Sequence, residues 1–214
     1  MKALMAVTGI ILIGFLLMHM WGNLKAFIGA EAYDHYAEWL KTDLLYPLVP
    51  RGWFIWIFRA FMVASIVLHI VSAFVLTRRS HAGRGRYQRT ERRAQTFAAR
   101  TMRWGGVILL AALLFHLGQF TIKWFLTGFT VDSTPYESIV LTFEQWYMVV
   151  LYAVFVGTVC LHVRHGVWSA LTTLGANTSP TSRRVLNITA VFVAGLLFVG
   201  FMAMPIAVLL GGIK

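Results

Sequence analysis

The run Leu151–Gly175, LYAVFVGTVCLHVRHGVWSALTTLG, decides how the chain is read. It is apolar and long enough to cross a bilayer as one helix, which takes about 20 residues. Yet it carries two histidines, His162 and His165, one turn apart on the same face. An ionisable ring in the hydrocarbon layer is costly unless something binds it, so such a residue points to function by default. Three further apolar segments hold one histidine each, His19, His69 and His116.

Composition places the whole chain in the same setting. Its 214 residues are 58% hydrophobic and 13% charged, with a mean hydropathy of +0.70, against an apolar share of about 45–50% in soluble domains. The reading is an all-α membrane bundle forming a single domain over residues 1–214, with no room for a separate soluble catalytic domain. Five spans are expected at about 4–25, 53–76, 104–124, 146–174 and 185–210. Between the first two, Ala32–Leu45 has amphipathic character and is read as a short interfacial helix. The stretch LTGFTVDSTPYESIVLTFEQ, residues 126–145, is read as a loop.

Charge orients the bundle. The net charge of +11 would suggest nucleic acid in a soluble protein, but nine arginines crowd Arg78–Arg103. Seven of the eight acidic residues lie in Glu31–Asp43 and Asp132–Glu144. That segregation follows the positive-inside rule, so the arginine-rich loop and the N-terminus are expected in the cytoplasm, the acidic loops outside, and no nucleic-acid partner. The loop's plain role is to fix topology against anionic lipid, and part of it could also meet a partner subunit. The single cysteine, Cys160, permits no internal disulfide and reads as a core residue.

Depth arithmetic turns four histidines into two pairs. His19 lies six residues before Lys25 and His116 seven before Lys123, which puts both rings ~10 Å from the outer helix ends. His69 is sixteen residues past Trp53 and His162 sixteen past Trp146, which puts both ~24 Å below the outer boundary. Counted from the inner end, however, His165 lies ten residues before Gly175 and His69 nine before Arg78, which favours His165 as the partner of His69. Two stacked histidine pairs suit two bis-histidine haems, because haem iron takes axial imidazoles from opposite sides. Small or modestly polar residues lie one turn from the ligands: Gly22, Asn23, Ser65, Ser72, Ala112, Thr158 and Gly166. They would let a porphyrin lie against the helices, and would equally let bare helices pack.

The run LHVRHGVWSALTTLG, the run HMWGNLKAFIGAEAYDHYAEWL and one histidine in each of the first four of five helices resemble a known family. It is the dihaem cytochrome b membrane anchor, five-helix type, of succinate dehydrogenase and fumarate reductase. The resemblance covers essentially the whole chain. It implies His19 and His116 as ligands of a distal haem b near the outer face, and His69 and His162 as ligands of a proximal haem b near the cytoplasm. The family's HxxHG pattern puts the ligand first, which selects His162 over His165. It further implies a flavoprotein and an iron–sulfur subunit on the cytoplasmic side of a bacterial inner membrane, a succinate site in another chain, and a quinone, taken as menaquinone, as substrate.

Other residues have a plain and a sharper reading. Arg59 either snorkels to the outer interface or bonds a haem propionate or quinone oxygen, and Arg164 either reaches inner headgroups or meets a proximal propionate. His35 and His81 read as solvated, and His35 could exchange protons near an outer quinone. Asp34, His35, Glu38, Arg59 and Gln119 are the quinone-site candidates, since quinone reduction takes up two protons. Run backward, the same anchor would serve a quinol:fumarate reductase. A rival of another class is a haem-free proton carrier using the histidines as a relay. Against it, no acidic residue lies clearly inside a span.

Overall fold

A bilayer offers the backbone no hydrogen-bonding solvent, so each apolar run must satisfy its own N–H and C=O groups as a helix. The computed structural model describes residues 1–82, 93–125 and 127–214, with side chains for 1–80, 102–125 and 127–214. Its helices are α1 (Lys2–Leu24), α2 (Ala30–Thr42), α3 (Trp53–Ala82), α4 (Arg93–His116), α5 (Pro135–Phe143), α6 (Trp146–Thr173) and α7 (Pro180–Leu209). There is no strand among the described residues. Five helices are long and apolar enough to cross a membrane: α1, α3, α4, α6 and α7. The all-α bundle of five spans expected from the sequence is therefore what the chain forms.

Helix α6 packs along α7 and against α1 and α4, and α1 packs against α3 and α7. Met20 of α1 presses on Gly200 of α7, where a Cβ would collide with its thioether, so a side chain there would have to displace Met20. A Cβ at Gly195 of the same helix would meet nothing within 4 Å among the described residues. Helices α2 and α5 lie together at one end, here called upper, which corresponds to the side the acidic loops assign to the outside.

Three expectations need correction. The third span stops short of 124: α4 ends at His116, a π-helical turn covers Leu117–Thr121 and Lys123 takes a left-handed φ of 60°. The chain then doubles back, with Phe125 so close to Gly118 that a Cβ there would lie 2.6 Å from the ring. The second and fifth helices run beyond the expected spans, since α3 continues to Ala82, past Arg78 and Arg79, and α7 begins at Pro180. Its start is set by a capping box between Ser179 and Ser182 with Pro180 in the first turn. The third correction is in the stretch 126–145, which is not all loop.

Residues Pro135–Phe143 form α5, started by a reciprocal capping box of Thr134 and Glu137. Six of its nine residues are buried, and Tyr136, Ile139, Val140 and Phe143 join Val149, Met202, Met204 and Val208 in one apolar cluster. Asp34 of α2 accepts a hydrogen bond from the Tyr136 backbone N–H at 2.9 Å, an anionic acceptor at the helix's first turn, where the backbone dipole favours it. The upper end is thus roofed. The arginine-rich loop lies largely outside the described residues, as does the side chain of His81.

Candidate functional site

The helices bring the four histidines together as two pairs. His19 of α1 faces His116 at the end of α4, with ring centroids 5.9 Å apart and planes at 81°. His69 of α3 faces His162 of α6 at 6.4 Å and 60°. Neither α1 with α4 nor α3 with α6 is among the closely packed helix pairs of the described residues, so each histidine pair spans a gap between backbones.

The pairs form two tiers. His69 lies against Gly9 of α1, and His162 against Gly106 of α4. Each glycine precedes its own helix's upper-tier histidine, His19 or His116, by ten residues, which is about 15 Å along a helix. A Cβ at Gly9 would fall 3.5 Å from the His69 ring and one at Gly106 would fall 4.0 Å from His162, so both glycines leave room beside the lower pair. Upper-tier rings are walled by aromatics instead: Phe15 stacks on His19 at 5.3 Å, and Phe120 sits 5.4 Å from His116.

One histidine in each tier has its ring fixed by a hydroxyl. In the upper tier, Tyr152 donates to Gln119 Oε1 at 2.7 Å, so its oxygen offers only lone pairs to His116 Nδ1 at 3.2 Å. In the lower tier, the Thr8 hydroxyl donates to the Leu4 carbonyl at 2.8 Å, and its oxygen lies 3.2 Å from His69 Nδ1. With those protons committed elsewhere, each imidazole donates from Nδ1 to the hydroxyl oxygen. That tautomer leaves a lone pair on Nε2, the atom a metal would take, and such outer partners hold ligand rings in place. His162 Nδ1 is buried with no partner among the described residues.

The donor set suits iron in a porphyrin. Two imidazoles on opposite sides of one metal, with bonds of about 2 Å and roughly 1.1 Å from nitrogen to ring centre, put the centroids about 6.2 Å apart. The observed 5.9 and 6.4 Å bracket that value. No group of three or more metal-ligating side chains occurs among the described residues, and a porphyrin, which brings four nitrogens of its own, needs only two.

Of the two histidines on α6, the ring opposite His69 is that of His162. The proposed propionate partners lie elsewhere. Arg59 is on an exposed face of α3 with its guanidinium 4.8 Å over Trp56, the arrangement of a snorkelling cation. Arg164 opens onto a groove between α6 and α7 lined by Gly157, Val191, Gly195 and Phe198. Cys160 is buried, as expected of a core residue.

The quinone candidates do not converge. Gln119 is fully buried, its amide held between Tyr152 and Thr127. Asp34 is committed to the start of α5. His35 and Glu38 are exposed on α2, and His35 borders a shallow hollow with Ile28 and Glu31. Beside them Tyr33 donates to Asn23 at 3.2 Å, and burial, with help from Asp34, pushes its hydroxyl up to about 12, so it remains a donor at neutral pH.

Sequence reasoning missed Thr8 and Tyr152. A signal for Tyr152 was present, since it lies six residues past Trp146, level with the upper pair. No known protein family, curated protein or solved structure matches this chain.

Proposed function

We propose that this chain is the membrane-anchor cytochrome b subunit of a succinate:quinone oxidoreductase in a bacterial cytoplasmic membrane. His19 and His116 hold one haem b toward the outer face, and His69 and His162 hold the other toward the cytoplasm. The observation that carries this reading is the pair of ring separations, 5.9 and 6.4 Å, in two tiers of one bundle. When bound there, haem would supply one-electron chemistry between an iron–sulfur subunit, itself served by a succinate-oxidising flavoprotein on the cytoplasmic side, and a membrane quinone such as menaquinone.

The chain's own residues do the rest. Thr8 and Tyr152 hold the His69 and His116 rings in the tautomer that presents Nε2. Phe15, Phe120 and Phe201 pack around the upper pair and exclude water from it. For the two protons that quinone reduction takes up, the reading offers His35 and Glu38, which are exposed on α2.

The test is the complex purified through a tag on this chain in mild detergent. A haem absorption band that succinate reduces supports the proposal. A chain that carries no haem yet moves protons across vesicle membranes would replace it with the relay reading.

A further inference from the structure

Gln119 was drawn into the argument as a quinone contact, and its position assigns it other work. It is 0% exposed, at the centre of a hydrogen-bonded chain that begins at His116. We infer that Tyr152, backed by Gln119, is a positioning residue that holds the upper haem's reduction potential below the value the axial histidines alone would give. The inference rests on the haem reading above.

The direction follows from counting protons. Tyr152 has one, and it goes to Gln119 Oε1 at 2.7 Å. In this arrangement Gln119 presents Oε1 to Tyr152 while its Nε2 donates to Thr127 Oγ1, which in turn meets Thr142 Oγ1 at 3.2 Å. Thr142 is itself fully buried. With its proton given to Gln119, the phenol oxygen accepts from His116 Nδ1. An imidazole that donates its distal N–H to a fixed acceptor is a more basic ligand, and a more basic axial ligand favours the oxidised iron.

The lower tier has a weaker counterpart. Thr8 accepts from His69, but it is an alcohol bound to a backbone carbonyl, with no side-chain network behind it. On the other side of that pair His162 Nδ1 has no acceptor among the described residues. The two sites share a ligand set and differ in what stands behind it.

Tyr152→Phe removes the oxygen and keeps the ring that packs on Phe143 at 5.1 Å and Phe155 at 5.8 Å. Redox titration in a His69→Ala background, where only the upper haem is expected, reads its potential alone. The expected result is a rise that changes the ratio of reduced to oxidised haem about tenfold at fixed poise, ~59 mV for one electron. Gln119→Leu, which leaves Tyr152 in place without its backing, should shift the potential the same way by less. A Thr8→Val variant should leave the upper haem where it was. An upper haem with unchanged potential in both Tyr152→Phe and Gln119→Leu overturns the inference and leaves the haem reading standing. Absence of haem from the unmodified chain overturns the haem reading itself.

Discussion

The upper and lower tiers carry the same two side chains in different surroundings. Above, His19 and His116 sit among aromatic rings beneath the capped helix α5, and the one anchoring contact runs through a phenol into a buried amide. Below, His69 and His162 are flanked by Gly9 and Gly106, and the anchoring hydroxyl leans on its own helix's backbone. The upper site is closed by side chains, whereas the lower one is shaped by their omission.

The sharpest way to break that comparison is to remove ligands. His69→Ala or His162→Ala should cost one of two haems and spare the upper one, while His165→Ala should keep both, as pyridine haemochrome assays of the purified chain would show. Filling the lower space comes next. Gly9→Leu puts a branched side chain beside His69, and should lower occupancy of the lower haem several-fold without touching the upper one, read by resolved redox titration.

Smaller effects probe the roof. Thr134→Ala removes the hydroxyl that caps α5 and should cost about 1 kcal/mol, appearing in thermal scans as earlier loss of the upper haem only. Arg59→Gln gives up a cation stacked on Trp56 at an exposed face, worth at most about 1 kcal/mol, and should leave both haem spectra unchanged. A loss of the upper haem in that variant would return Arg59 to the site.

Much of this was legible because a helix rises by a fixed amount per residue. Trp53 and Trp146 are the actual first residues of α3 and α6, so sixteen residues from each leads to the same level and pairs His69 with His162. The competing count from the inner end went astray for a physical reason. It took Arg78 as the end of the helix, but α3 continues to Ala82, because charged side chains stop a helix from entering lipid without stopping the helix.

What was not legible depends on contacts between distant segments. The signals for α5 were local, a Thr134 and Glu137 box with Pro135 between them, but its burial comes from α6 and α7. Gln119 was recognisable as a polar residue in an apolar setting. Whether it faced a ligand or a neighbour turned on Tyr152, thirty-three residues away, and on Thr127 beyond the π-helical turn. Polar pairing of that kind leaves no periodic trace in a sequence.

The most direct measurement is haem per polypeptide in the unmodified chain and in His19→Ala and His162→Ala. The account predicts two, one and one, with the two variants retaining haems of different potential. No haem in the unmodified chain, or two retained in both variants, would contradict it.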